Sequence, residues 1–276
     1  MDPVTTEILV LGAGPGGYTA AFYAADKGKK VTLVEQNPRL GGVCMNVGCI
    51  PSKALLHATA ILSEGNESRR RGIALGPAQV ELEKLRSWKE SIVEKLGQGI
   101  KSLAQHRRVE LVHGRGHFED SQTLRVETSA GQKFIRYEKA IIAAGSKPAM
   151  PHAFDLGNKR VMTSTEALDL PDIPQDLLVV GGGYIGMELG TVYAALGSHV
   201  VVLEALPFRT VVCLEGVVIV EDDLRHVVIK YLLHLLDDLD PIVLGRRGLL
   251  VLVKLVVLWV RVAGVAPRPA LTGRER

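Results

Sequence analysis

Two glycine-rich turns of the same design constrain the fold of this chain more than any other feature. Residues 12–17 (GAGPGG) and 181–186 (GGGYIG) each follow a short apolar run and precede a helical pattern. A constant offset of 169 residues relates Gly12, Gly14, Gly17, Gly28 and Glu35 to Gly181, Gly183, Gly186, Gly197 and Glu204. One G-x-G-x-x-G turn is a weak signal, but two copies, each with an acid 18 residues after the last glycine, predict two dinucleotide-binding βαβ units.

Each glycine of such a turn has its own physical task. The first permits the tight turn, the second lets the backbone approach a pyrophosphate, and the third allows close packing of helix on strand. The amino terminus of the following helix offers N–H groups and partial positive charge to the phosphates. Glu35 and Glu204 end the second strands, where a carboxylate can accept hydrogen bonds from ribose hydroxyls. Because a carboxylate repels a 2′-phosphate, Glu204 favours NAD over NADP.

The segments between and around the two turns complete an α/β pattern. Helical spacing predicts helices from Pro51 to about Ser63 and from Val80 to about Ala104. Short alternating segments from Val109 to Tyr137 predict a small antiparallel meander, and the apolar run from Ala140 to Ala144 predicts another buried strand. The expected fold is therefore two Rossmann-like units, of which the second is incomplete.

Composition narrows the class of protein. The 276 residues are 47% hydrophobic and 23% charged, as in globular proteins, and the net charge is +3. Such a small charge gives no reason to expect nucleic acid or a membrane as partner. The first residues lack the pattern of a secretory signal or transit peptide, and three cysteines do not make a secreted disulfide scaffold. The sequence therefore favours a cytoplasmic location.

Two of those cysteines, Cys44 and Cys49, carry the most specific chemistry. A disulfide closing about six residues would stabilise the fold by only roughly 2 kcal/mol, so a reactive bond explains the pair better than a structural one. Pro51 suits the first turn of a helix, which places Cys49 at that helix's amino terminus, where a thiolate is stabilised. On spacing alone, half of a zinc site and two unpaired buried thiols remain as alternatives, although no Cys or His cluster accompanies the pair. No metal site is predicted.

The segment from Gly41 to Lys53 (GGVCMNVGCIPSK) resembles the active-site signature of the pyridine nucleotide–disulfide oxidoreductases. This flavoprotein group includes the dihydrolipoamide dehydrogenases, glutathione reductases and mercuric reductases. Residues 49–53 (CIPSK) and 183–190 (GYIGMELG) are most similar to the dihydrolipoamide dehydrogenase branch. The resemblance extends from Glu7 to about Pro207.

The resemblance implies FAD in the first unit and NAD in the second. For FAD it implies pyrophosphate and ribose contacts from Gly12, Gly14, Gly17 and Glu35, and contacts at the end of the return strand from Gly145 and Ser146. For NAD it implies the corresponding contacts from Gly181, Gly183, Gly186 and Glu204.

It also implies a reaction, the oxidation of dihydrolipoamide by NAD⁺ through a Cys44–Cys49 disulfide and FAD. Cys44 would exchange disulfides with the substrate, and Cys49 would lie nearer the flavin. Lys53, paired with Glu188, would stabilise the reduced flavin as a cation; the plainer alternative is that each is an ordinary surface charge. The implied partner is the lipoyl group of a 2-oxo acid dehydrogenase complex, and intact family members are homodimers.

The resemblance ends after about Pro207, where the sequence changes character. Residues 208–276 are rich in Val and Leu and lack a later Gly-Asp flavin motif, a dimerisation domain and a His-Pro segment with its catalytic base. His226, His234 and Cys213 are assigned no role. The expected division is therefore 1–148 as an FAD-binding domain, 149–207 as the start of an NAD-binding domain, and a divergent tail.

A reading-frame error or gene remnant would explain that tail. It would also leave this chain without the catalytic His and without the dimer domain, so a homodimer is not expected here. Two alternatives to the leading function follow. One is a mercuric or glutathione-type disulfide reductase, and the other is an inactive dinucleotide-binding remnant.

Overall fold

A computed structural model describes residues 4–204 in full and the backbone of two further segments, 217–221 and 249–253. The described residues form two sheets, a mixed one and a parallel one, each with its own apolar core. We call the first sheet and the helices on it the first unit, and the second sheet and its helices the second unit.

The first unit contains a six-stranded sheet in the order β3-β2-β1-β6-β5-β4. Its strands are β1 Val4–Leu11, β2 Val31–Glu35, β3 Glu110–His113, β4 Arg115–Phe118, β5 Thr123–Thr128 and β6 Gly131–Ile142. Its helices are α1 Pro15–Asp26, α2 Gly42–Val47, α3 Cys49–Ser68 and α4 Leu82–His106, with a short 3₁₀ turn at Arg69–Arg71. The central strands β1 and β2 pair in parallel, and every residue of β2 is buried, as expected for a strand covered on both faces.

The second unit repeats the arrangement with a five-stranded sheet in the order β10-β9-β8-β11-β7. Its strands are β7 Val161–Met162, β8 Asp176–Val180, β9 His199–Glu204, β10 Val217–Glu221 and β11 Leu249–Val253. Its helices are α5 Ser164–Ala167 and α6 Tyr184–Ala195. Every neighbouring pair in this sheet is parallel. The fold is thus α/β with two Rossmann-like units, as the sequence predicts.

The 169-residue offset is preserved in three dimensions. Gly12 and Gly181 have left-handed backbone angles, with φ of 99° and 103°. Each donates its N–H to the second strand of its unit, Gly12 to Val34 O and Gly181 to Leu203 O, both at 2.8 Å. Helices α1 and α6 begin and end at positions that differ by the same 169 residues. The two turns are copies in geometry as well as in sequence.

Helices α3 and α4 of the first unit pack against the second unit. Leu55 of α3 is fully buried in the core of the second unit, beside Leu189 and Val192 of α6. On α4, Lys89 Nζ donates to Leu168 O at 2.9 Å and faces Asp169 Oδ1 at 3.4 Å. The structure therefore places the helix that starts at Cys49 at the junction between the two units.

Two expectations about the first sheet are wrong in part. The segment from Val109 to Tyr137 is not entirely antiparallel, because β3 pairs in parallel with β2 and only β4 to β6 form the meander. The run from Ala140 to Ala144 is not buried: Ile141 is 38% exposed and Ile142 is 68% exposed. The pairing of β5 with β6 ends at Arg136, so among the described residues the far end of β6 is an open sheet edge.

Parts of the divergent tail enter the second sheet. β10 pairs with β9, and β11 lies between β8 and β7. His226, His234 and Cys213 lie outside the described residues. In the part of the chain that the structure describes, no helix is both long and apolar enough to cross a membrane. The boundaries predicted at 148 and 207 stay predictions.

Candidate functional site

The first glycine turn is closed by direct backbone contact. A Cβ atom built on Gly17 would lie 1.7 Å from Gly12 O, so only glycine permits α1 to approach the end of β1 this closely. On Gly14 such a Cβ would meet one atom within 4 Å, Gly42 Cα at 3.7 Å, which is an ordinary van der Waals contact. The second turn has the same close approach, since a Cβ built on Gly186 would lie 2.2 Å from Gly181 O.

The acid at the end of β2 holds the first turn in shape. Glu35 is 6% exposed, and its Oε2 accepts a hydrogen bond from Ala13 N at 2.8 Å. Its Oε1 accepts from both the backbone N and the Nδ2 of Asn37, at 2.8 and 2.9 Å. In the second unit, Glu204 Oε2 accepts from Gly182 N at 2.8 Å. The two acids therefore hold their turns in shape, a role that the sequence pattern does not indicate beside the predicted ribose contact.

An open cleft lies at the end of β2. It has a volume of about 540 Å³ and is lined by Gln36, Asn37, Pro38, His113, Gly114, Arg115, Glu127 and Ser129. His113 Nδ1 lies 3.3 Å from Asn37 O, which fixes one wall of the cleft against the loop that follows Glu35. The cleft thus adjoins the one acid of the first unit for which a ribose contact is predicted.

The return strand β6 closes the turn from the other side. A Cβ on Gly12 would lie 2.3 Å from Ala143 O, so the chain after β6 passes directly over the turn. Gly145, two residues further on, has a φ of 69°, a left-handed conformation that favours glycine. Gly145 and Ser146 therefore follow β6 at the same end of the sheet as the first turn.

The cysteine segment is anchored on that turn by backbone contacts. Gly41 N donates to Ala13 O at 2.8 Å. A Cβ on Gly42 would lie 2.6 Å from Gly14 Cα, and the φ of Gly42 is 59°. α2 therefore starts against the first glycine turn, and Cys44 lies one turn into it. As predicted, Cys49 is the first residue of the next helix and Pro51 lies in that helix's first turn.

Cys44 and Cys49 are both free, partly buried thiols in the structure. Burial raises the pKa of the Cys44 thiol, its hydrogen bond with Cys49 raises it further, and the cation of Lys53 opposes the shift. Cys44 is therefore a thiol at neutral pH. The thiol of Cys49 thus acts on the pKa of Cys44 directly.

Lys53 and Glu188 meet across the junction of the two units. Lys53 Nζ lies 3.2 Å from Glu188 Oε1, and the carboxylate raises the pKa of the lysine. The side chain of Lys53 is 60% exposed and that of Glu188 is 22% exposed. Ser52, which the sequence argument did not single out, donates to Glu188 Oε2 at 2.6 Å. The pair is thus a specific contact between α3 and α6.

The predicted site residues on and near the first unit form two groups. The glycines of the first turn, Glu35 and the cysteine segment lie together around that turn. Lys53 and Glu188 form the contact between α3 and α6. Among the residues searched, no group of three or more His, Cys, Asp or Glu side chains is arranged to hold a metal ion.

A family model described as pyridine nucleotide-disulphide oxidoreductase matches residues 6–213, about three quarters of the chain. The chain belongs to this family. Its members are flavoproteins. The family match covers both glycine turns, the cysteine pair and the contact between Lys53 and Glu188. The family assignment made from the sequence is thereby confirmed.

Curated relatives and solved structures agree with that assignment. The chain is 46% identical over 202 residues to a dihydrolipoyl dehydrogenase of Staphylococcus aureus, covering 73% of this chain and 43% of that protein. It is 43% identical over 201 residues to one of Vibrio parahaemolyticus, covering 73% and 42%.

The HOCl-induced flavoprotein disulfide reductase RclA of Escherichia coli matches in structure, with a TM-score of 0.65 and 27% identity over 78% of this chain and 48% of that chain. The chain spans less than half the length of these relatives.

Proposed function

We propose that the protein is a disulfide oxidoreductase of the dihydrolipoyl dehydrogenase type, using FAD and NAD. The observation that carries this proposal is the placement of Cys44 and Cys49. They lie between the first glycine turn, to which Gly41 and Gly42 are fastened, and the Lys53–Glu188 contact with α6. A structural disulfide would need no such position between two nucleotide turns.

The residues of the first unit fit FAD. Gly14 has no Cβ to keep a pyrophosphate away from the backbone of the turn, and the amino terminus of α1 follows it directly. The cleft beside Glu35 offers space for the adenosine half. Glu35 keeps acceptor capacity after its three hydrogen bonds, because a carboxylate has about four lone-pair sites. Gly145 and Ser146 lie at the same edge of the sheet. FAD would supply the two-electron carrier between the disulfide and the nicotinamide.

We assign to the cysteine pair the disulfide exchange that the family resemblance implies. A thiolate of dihydrolipoamide attacks Cys44 Sγ of the disulfide, and Cys49 leaves as a thiolate. The second substrate thiol, once deprotonated, displaces Cys44, which releases lipoamide and leaves two reduced cysteines. The substrate has lost two electrons and two protons. NAD⁺ takes up the two electrons and one proton as NADH, and the other proton goes to solvent.

Lys53 and Glu188 would act on charge and position. The charge of the Lys53 ammonium acts on both thiols and favours a thiolate at Cys44. Glu188 fixes that ammonium from the second unit. We place NAD on the second turn, at Gly181, Gly183, Gly186 and Glu204, because its geometry repeats that of the first. Tyr184, 65% exposed at the start of α6, stands at the mouth of this turn.

The lipoyl group of a 2-oxo acid dehydrogenase complex is the substrate that the relatives' name suggests. Purified protein, supplied with FAD, is incubated with dihydrolipoamide and NAD⁺ while NADH absorbance is recorded. We expect NADH formation that is lost in Cys44→Ser and falls when NADP⁺ replaces NAD⁺. The proposal is wrong if the variant keeps the rate.

The same assay separates the alternative functions. Oxidation of NADPH by glutathione disulfide or mercuric ion, without a reaction of dihydrolipoamide, would indicate the glutathione or mercuric type of reductase. A protein that binds FAD and NAD but reacts with none of these substrates would be a dinucleotide-binding remnant.

A further inference from the structure

Ser52 occupies a position between the two units that the proposed mechanism does not use. It is 4% exposed, although its neighbour Lys53 is largely in solvent. Its hydroxyl faces two acceptors, Glu188 Oε2 at 2.6 Å and Cys49 O at 3.3 Å. A hydroxyl has one proton to donate, and the shorter, charged partner receives the stronger bond. Ser52 therefore belongs with Glu188 rather than with its own helix.

The two oxygens of Glu188 are divided between neighbours in sequence. Ser52 binds Oε2, and Lys53 binds Oε1 at 3.2 Å. A buried serine has few rotamers, whereas an exposed lysine has many. The hydrogen bond from Ser52 therefore restrains the Glu188 carboxylate more rigidly than the ion pair with Lys53 does. We propose that Ser52 is a positioning residue that holds the Glu188 carboxylate against Lys53 and so fixes the position of the Lys53 ammonium.

The consequence falls on Cys44. Among the described residues, the groups that act on the pKa of its thiol are Cys49 and Lys53; the backbone N–H of Cys49 lowers it, and Lys53 is the one charged side chain that also does so. If Ser52 loses its hydroxyl, Glu188 keeps one of its two partners and the ammonium becomes less well placed. The thiolate of Cys44 is then less stabilised. This role serves the proposed redox function, but the thiol can be measured without any cofactor.

The test is the pH midpoint of Cys44 alkylation by iodoacetamide in the full chain, read by fragmentation mass spectrometry. We expect Ser52→Ala to raise the midpoint by about 0.5 pH unit, which lowers the rate about threefold at pH values below it. Lys53→Met removes the cation and should raise the midpoint further. Ser52→Thr keeps a hydroxyl and should restore the wild-type value.

A double-mutant cycle distinguishes positioning from general stability. If Ser52 acts through Lys53, adding Ser52→Ala to Lys53→Met should shift the midpoint no further. The matched control is Thr59→Val, which removes another buried hydroxyl of α3, one bonded to Leu55 O at 2.9 Å within the helix. It should leave the midpoint unchanged.

Two outcomes overturn the inference. One is the full Ser52→Ala shift in the Lys53→Met background, and the other is an equal shift in Thr59→Val. If Ser52→Ala does not fold, Glu188→Gln gives the answer, because it keeps an acceptor for Ser52 and removes the charge that holds Lys53. An unchanged midpoint in Glu188→Gln would contradict the inference. Failure of the proposed function would instead appear as absent turnover with these midpoints intact.

Discussion

Replacing Gly17 by alanine tests the geometry of the first turn at its tightest point. The new Cβ would lie 1.7 Å from Gly12 O and 2.8 Å from Gly12 C. Both are backbone atoms, so no side-chain rotation relieves the overlap and the turn must open. Gly16→Ala is the matched control, because its Cβ would meet only Ala143 Cβ, at 4.0 Å. Both positions lie in the first turn of α1.

The magnitude follows from comparing the two variants. Alanine brings a similar helical preference at either position, so the difference isolates the overlap. Overpacking costs about 1–3 kcal/mol, and contact with backbone places Gly17→Ala near the upper end, about 3 kcal/mol. For a domain of this size, about 3 kcal/mol corresponds to a difference in melting temperature of roughly 6–12 °C.

The assay is thermal unfolding followed by circular dichroism, at equal protein and FAD concentrations. Gly16→Ala should melt close to wild type, and Gly17→Ala well below it. FAD retained after gel filtration should also fall in Gly17→Ala, because an opened turn displaces the amino terminus of α1. Melting temperatures within about 2 °C of each other in the two variants would show that the close approach is not rigid, and would refute the argument.

Two other predictions concern stability. Lys89→Met should lower the free energy of unfolding by about 1–3 kcal/mol, because Leu168 O loses its buried donor. Lys84→Met, at an exposed position of the same helix, should lower it by less than about 0.5 kcal/mol. Urea unfolding measures both variants, and equal losses would contradict the argument. The Lys30 N–H and the Lys29 ammonium lower the pKa of Glu7, so its contribution to stability is full above its unfolded pKa and is lost as pH falls through the folded one. Glu7→Gln should therefore flatten the acid side of the stability curve, and an unchanged pH dependence would remove Glu7 from the account.

The sequence predicts the parts of this fold that repeat or that obey local rules. The glycine turns need no information from elsewhere, because strand, turn, helix and acid lie within about 30 residues. The start of α3 at Cys49 follows in the same way from the preference of proline for the first turn of a helix.

Long-range contacts, apart from the Lys53–Glu188 pair that the family resemblance implies, are the part that the sequence does not supply. Ser52 contacts Glu188 across 136 residues, and Lys89 contacts Leu168 across 79 residues. No pattern in the sequence indicates either contact. The pairing of β3 was misjudged because alternation predicts a strand but not its neighbour. The exposure of Ile142 was missed for a related reason, since burial of an apolar strand depends on what lies beside it.

The most direct test of the central claim is an anaerobic dithionite titration of the purified, FAD-loaded protein. If Cys44 and Cys49 form a disulfide that exchanges electrons with the flavin, full reduction should take two electron pairs per FAD. The variants Cys44→Ser and Cys49→Ser should each take one pair. A wild-type protein that takes one pair per FAD, as both variants do, would show that the cysteine pair does not exchange electrons with the flavin and would contradict the account.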